Sequence, residues 1–181
     1  AVAYKELPAV ISRLRQPAGV SARAVEFAAL TAARSGEVRG MTWTEVDFDE
    51  ALWTVPAERM KAERDHEVPL SNRAIDILRA QKQRATGPLV FEGGKESTPI
   101  SDTAMVKALR AAGAGDATLH GLRSSFRDWA GDETQYSRDV AEAALAHVVR
   151  DKTEAAYRRG TALAKRREMM TDWASYLQKS K

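Results

Sequence analysis

No cysteine occurs in the 181 residues, which excludes disulfides and thiolate metal sites and is compatible with a reducing cytoplasm. Glycine and proline are sparse, at eleven and six, and no segment is repeated or of low complexity, so neither a disordered tract nor a solenoid is expected. There is no apolar run approaching about eighteen residues and no charged-then-apolar leader. The expectation is a cytoplasmic protein with no membrane span. With 44% hydrophobic residues the chain is long enough for a well-filled core and falls in the range of one domain, residues 1–181. It opens on Ala1 rather than methionine and carries motifs almost to its end, as expected of a piece excised from a longer protein with a further N-terminal domain.

Charge is nearly balanced, at +3, but unevenly spread. Residues 147–181 hold nine of the 28 Lys/Arg and four of the 25 Asp/Glu, leaving nineteen basic against twenty-one acidic residues before them. A solvated helix face explains such a basic tail as readily as a footprint for a nucleic-acid backbone does.

Periodicity predicts a mainly α-helical α+β fold. Leu7 to Leu14 has amphipathic spacing, with Pro8 in the opening turn. A second helix starts near Ser21; its stretch Phe27 to Ala33 is apolar nearly all round, which marks a buried helix, and Gly36 reads as its stop, so that Arg34 sits at the end of a rigid element. From Glu45 to Leu70 the period becomes two, predicting a small antiparallel sheet whose last two strands flank a charged hairpin loop, Glu58 to Asp65. Helical patterns return at Ser71 to Gln83, Ser101 to Ala112 and His120 to Trp129. A further helix capped by Ser137 runs to Ala146, and Asp151 with Glu154 resembles a capping box. Gly113-Ala-Gly115 and Glu92 to Lys95 read as ordinary loops. In the final segment, Thr161 to Gln178, Leu163, Met170, Trp173 and Leu177 form an apolar stripe. That stripe either packs on its own domain or, with Trp173 as anchor, docks on a neighbouring protomer.

The residues suited to chemistry come in a definite order: Arg34 in ARSGE, the pair His120 and Arg123 in HGLR, His147 in LAH, and Tyr157 ten residues later. His120 and Arg123 are three apart at the opening of a helix, where they share a face and where free N–H groups favour an anion. A His-x-x-Arg pair by itself is usually surface decoration. Arg34, at the end of an apolar helix, needs an anionic partner, either an internal one such as Glu37 or a phosphate. Two guanidiniums converging on one phosphate can make bidentate bonds to it and stabilise a pentacoordinate transition state. Tyr157, between Ala155-Ala156 and Arg158-Arg159, is placed for a phenol to reach a phosphate, whereas Tyr4, Tyr136 and Tyr176 lack that setting. Lys61, on the hairpin loop, is either merely solvated or a proton donor to a departing sugar oxygen.

LTAARSGEVRGMTW at 30–43, RMK at 59–61, HGLRSSFRDWA at 120–130, LAHV at 145–148 and AAYRRG at 155–160 resemble, in order, the motifs of the tyrosine recombinase or phage integrase family. RREMMTDWASYL near the end is similar to prophage and genomic-island integrases. The resemblance spans nearly the whole chain and implies a catalytic set of Arg34, Lys61, His120, Arg123, His147 and Tyr157. On that resemblance Tyr157 attacks phosphorus to leave a 3′-phosphotyrosine, the two arginines clamp the nonbridging oxygens, Lys61 is the general acid, and the histidines assist proton transfer and position the phosphate. His66 is read as structural or as a backbone contact to DNA. No metal, ATP or other cofactor is implied. The implied partners are double-stranded DNA at attachment sites, other protomers in a tetramer, and accessory DNA-bending or excision factors. The family's N-terminal core-binding and arm-binding domains are not found in this chain. The competing readings are a type IB topoisomerase and an inactive DNA-binding or excision-control module; a metal-dependent transposase is disfavoured because no acidic group stands out.

Overall fold

The computed structural model describes residues 1–147 and 159–179. The expected capping box at Asp151 and Glu154 and the tyrosine at position 157 lie outside them. The described elements are mainly helical with one three-stranded antiparallel sheet, as the periodicity predicts, and their apolar faces share one hydrophobic core.

Helix α1 (Leu7–Leu14) carries Pro8 in its first turn, where a missing N–H is harmless, and buries Leu7, Val10, Ile11 and Leu14 along one face. It packs against α2 (Val20–Thr31), the central helix, whose Phe27 to Leu30 are all buried. One carboxylate, Glu26, is fully enclosed there. It is tolerated because Arg15, Arg23 and Arg73 close on it at 2.8, 3.3 and 2.7 Å. Burial alone would raise the carboxyl pKa of Glu26, but hydrogen bonds from Arg73 and Arg15 more than reverse this and hold it below its usual range.

The end of α2 departs from expectation. Gly36 does not stop the helix; Ala32 does, in the left-handed conformation with φ of +51°, at a cost of about 1–2 kcal/mol for a residue with a Cβ. Arg34 then becomes the N-cap of a new helix, α3 (Ser35–Arg39), with Gly36 inside it. The cause is Glu37, whose carboxylate accepts the Arg34 backbone N–H at 3.0 Å, the reach-back bond of a capping box.

Strands β1 (Val46–Asp47), β2 (Leu52–Val55) and β3 (His66–Pro69) pair in that order, with Trp53 opposite both Val46 and Val68 and Val55 opposite His66. Trp53 and Val55 point into the core while Leu52 and Thr54 are only half-buried, the alternation expected of a one-sided sheet. Helices α4 (Asn72–Gln83), α5 (Asp102–Leu109), α6 (Leu119–Glu133) and α7 (Arg138–Ala144) all begin the same way. Ser71, Ser101, Thr118 and Ser137 each accept the backbone N–H three residues ahead. The Thr118 cap starts α6 one residue before His120, and the helix runs past Trp129. Gly113 is not part of an ordinary loop. It sits with φ of +86° inside a π-helical turn, Arg110–Ala114, and a Cβ there would lie 2.9 Å from the Arg13 guanidinium that binds the Ala112 carbonyl.

Helix α8 (Arg159–Leu177) decides between the two readings of the final stripe. Met169, Met170, Trp173, Ala174 and Leu177 are buried in this same chain, and the Trp173 indole donates to the Ala29 carbonyl of α2 at 2.8 Å. Trp173 is therefore a core residue in cis, not an exposed anchor. Leu163 is half-buried. Part of the basic tail is likewise used internally: Arg166 donates to Glu67 O at 2.7 Å, and Arg167 to Ala51 O and Glu50 O at 3.1 and 3.0 Å, tying α8 to the sheet. No helix among the described residues is long and apolar enough to cross a membrane.

Candidate active site

Arg123 lies five residues into α6 and is 4% exposed. Its guanidinium bridges the C-terminal ends of two other helices, donating through Nη1 to the Ala32 carbonyl beyond α2 at 2.6 Å and through Nη2 to the Leu145 carbonyl beyond α7 at 2.7 Å. Carbonyls at helix C-termini carry the negative end of the macrodipole, so this is a favourable place for a cation. It is still not neutralised: among the described residues Arg123 is in no ion pair. Burial, then the charge of nearby Arg34, pushes the Arg123 guanidinium down to about 10, with Glu37 acting in the opposite direction.

Arg34 comes from the N-cap of α3, with its side chain about a third exposed. Its Nη1 is 2.8 Å from Glu37 Oε1, so the internal partner considered from the sequence is present. One carboxylate thus serves two closely placed guanidiniums.

His147 is brought to the same point by the way α7 ends. Ala146 adopts φ of +52°, its N–H bonds Ala143 O at 3.0 Å, and the N–H of His147 bonds Glu142 O at 3.0 Å. This is a Schellman closure, and it folds His147 back over the helix end. The imidazole Nε2 then lies 3.4 Å from Arg123 Nη2, while Nδ1 is hydrogen-bonded to the Glu142 carboxylate.

The remaining expected residues are less gathered. His120, in the first turn of α6, and Lys61, on the β2–β3 loop, are exposed, and neither hydrogen-bonds to the cluster among the described residues. Tyr157 lies outside the described residues. The loop bearing Lys61 is nevertheless anchored to the site, because Arg59 donates to Glu37 O at 3.0 Å and clasps Glu45 at 2.6 Å, which also accepts the Trp53 indole N–H at 2.8 Å. Gly40 makes room for this: a Cβ there would stand 2.7 Å from Arg59 Nη1.

Residues not singled out for the site also belong to it. His66 on β3 is half-buried beside Arg166, Glu37, Arg123 and the Ala144 backbone. Burial and the charge of Arg166 are the main causes that push its imidazole down to about 4, so it is neutral at pH 7. It is thus a neutral, half-buried ring among residues of the cluster, which favours the structural reading over a backbone contact. Glu142 has no sequence signal, since residues five apart do not share a helix face; only the turn at Ala146 makes it a neighbour of His147. Among the described residues no group of three or more His, Asp or Glu is arranged to hold a metal ion.

The sequence pattern of the phage integrase family matches residues 3–162. Among curated relatives, the prophage integrase IntA of Escherichia coli K12 is 40% identical over 148 residues, covering 80% of this chain and 36% of IntA. The prophage integrase IntZ of the same strain is 36% identical over 176 residues, covering 96% of this chain and 44% of IntZ. The chain thus spans less than half the length of either relative. In fold it is similar to an integrase from mycobacterium phage Brujita, with a TM-score of 0.70 at 18% identity over 94% of this chain and 56% of that one. It is also similar to a lambda integrase dimer bound to a COC′ core site, with a TM-score of 0.59 at 23% identity over 87% of this chain and 58% of that one. With the family pattern covering most of its length and a relative 40% identical over four-fifths of it, the chain belongs to the phage integrase family of tyrosine recombinases.

Proposed function

We propose that this chain is the catalytic domain of a site-specific DNA recombinase that cuts and rejoins strands through a 3′-phosphotyrosine. The observation that carries the proposal is the proximity of Arg34 to Arg123, two guanidiniums from separate elements whose charges act on one another, with one nearby carboxylate, Glu37, that is ion-paired to Arg34. A buried cation without an ion-pair partner is costly, and a phosphodiester supplies the missing charge in a form that two planar forks can grip.

In the proposed reaction the Tyr157 phenol gives up its proton with the assistance of His120 and His147, and its oxygen bonds to phosphorus as the bond to the 5′ oxygen breaks. Arg34 and Arg123 take up the charge that develops on the nonbridging oxygens. Lys61 gives its proton to the leaving 5′ oxygen, with His120 and His147 hydrogen-bonding the phosphoryl group. Attack on the phosphotyrosine by a 5′-hydroxyl from another strand reverses the step with exchanged partners, so no nucleotide hydrolysis is required. The other three tyrosines support Tyr157 as nucleophile. Tyr4 donates its hydroxyl to Glu133 at 2.9 Å, Tyr136 to Asp172 at 2.5 Å and Tyr176 to the Tyr4 carbonyl at 3.4 Å. Burial, and then the carboxylates beside them, raises the phenol pKa values of Tyr4 and Tyr136.

The partners in this reading are attachment-site DNA and further protomers, a tetramer at synapsis, with accessory bending or excision factors, in a cytoplasm where the DNA is accessible. Residues 1–181 form one catalytic domain in this proposal; core-binding and arm-binding domains belong to the rest of such a protein. The reading is preferred to a topoisomerase or an inactive module because the curated relatives are integrases. The test is trapping of a covalent adduct on a nicked suicide duplex in EDTA. Wild type is expected to form it, Tyr136→Phe to form it normally, and Tyr157→Phe to form none. An adduct with Tyr157→Phe, or a strict need for Mg²⁺, overturns the mechanism.

A further inference from the structure

Glu142 lies on the last turn of α7 and has no direct place in the proposed chemistry, yet both of its carboxylate oxygens are committed. Oε1 accepts from Arg127 Nε of α6 at 2.6 Å, and Oε2 is bonded to His147 Nδ1. Its own backbone carbonyl accepts the His147 N–H at 3.0 Å. The histidine is therefore held twice by one residue, through main chain and side chain, while Arg127 holds the carboxylate from the opposite side.

We propose that Glu142 is a positioning residue that fixes His147 as the Nδ1–H tautomer with Nε2 facing Arg123 and the reacting phosphate. A carboxylate accepts only, so the nitrogen bonded to it must carry the proton; the other nitrogen is then left with its lone pair towards Arg123 Nη2, 3.4 Å away, which can donate to it. On protonation Nε2–H becomes a donor aimed at the place where a phosphate oxygen would be clamped. Glu142 stabilises that cationic form, and Arg123 opposes it. Burial alone would raise the Glu142 carboxyl, but the bonds from His147 and Arg127 hold it below its usual range, which keeps it an acceptor at neutral pH.

Among the described residues the charged groups that face the pair include Arg123 and Arg127 of α6 and, beyond Arg123, Arg34 and Glu37. His66, held down to about 4, is neutral at pH 7.

The role of His147 in cleavage rests on the recombinase reading, but its tautomer does not, so the two can fail separately. In the free protein, the imidazole nitrogen resonances of His147, followed against pH, should report the Nδ1–H tautomer. In Glu142→Gln, which keeps shape but whose amide can either accept from or donate to Nδ1, those resonances should report a mixture of the two tautomers. Single-turnover adduct formation should fall at least about tenfold in Glu142→Gln, and Glu142→Asp should recover part of the loss. In a His147→Asn background Glu142→Gln should cost little more. An Nε2–H tautomer in the wild type, or a wild-type rate of adduct formation in Glu142→Gln, overturns the proposal. An equal loss in the His147→Asn background would make Glu142 a folding residue only. If the tautomer behaves as stated but wild type forms no adduct, the positioning stands and the recombinase reading falls.

Discussion

Trp173→Ala tests whether the last helix belongs to the core of its own chain. The indole is 0% exposed and packs on Trp129, Phe126 and Tyr176 at centroid distances of 4.9, 5.5 and 5.8 Å, with its N–H on the Ala29 carbonyl at 2.8 Å. Removing a fully buried tryptophan side chain costs about 3–5 kcal/mol through lost transfer energy and the cavity left behind. The lost ring pairs fall within that range; the lost hydrogen bond adds little, because Ala29 O keeps a bond from Ala32 N–H at 3.4 Å. For a chain of this size each kcal/mol moves the melting midpoint by about 2–4 °C, so a fall of roughly 6–20 °C is expected. Trp173→Phe, which keeps most of the packing, should lose about 1–2 kcal/mol. The assay is reversible denaturant and thermal unfolding of the free chain without DNA. A destabilisation below about 1 kcal/mol for Trp173→Ala would refute the packing and restore an exposed anchor that docks on another protomer.

Replacing Arg34 or Arg123 by alanine should slow single-turnover cleavage by about 10² or more, the scale for one preorganised transition-state donor, with a smaller effect on duplex binding. Arg123→Ala should also lower the melting midpoint because it leaves the Ala32 and Leu145 carbonyls without their donor, whereas Arg34, about a third exposed, should affect it less. Equal losses in cleavage and binding would mean simple DNA contacts. His66 should make the fold acid-sensitive. Its folded pKa is lowered from 6.5 to about 4, so the unfolded chain binds more protons in that interval; stability is full above about 6.5 and falls as pH drops towards 4. At about 1.4 kcal/mol per unit the loss is at most roughly 3 kcal/mol. Urea unfolding of wild type and His66→Gln across that range should show a flatter acid limb in the variant, and identical slopes would place the titration elsewhere.

Much of this was legible in the amino-acid order. Apolar spacing of three and four marked α1, a stretch apolar nearly all round marked α2, period two marked the sheet, and Ser71, Ser101 and Ser137 marked helix starts, because these signals act between residues close in the chain. Arg34, His120, Arg123 and His147 were legible as types suited to a phosphate, and Glu37 as a partner for Arg34, since three residues is one helical turn. What needed the tertiary structure was everything that depends on how helices end and which surfaces meet. The left-handed turns at Ala32 and Ala146 carry no glycine to announce them, yet they present the carbonyls that seat Arg123 and swing His147 onto Glu142. An amphipathic stripe states that Trp173 seeks an apolar surface but not whose; only the packing of α8 on α2, α6 and α7 assigned it to this chain. Burial likewise decided His66, whose environment is assembled from α3, α6, α7 and α8, elements as far as a hundred residues away, because desolvation and charge act through space while the sequence records only neighbours along the chain.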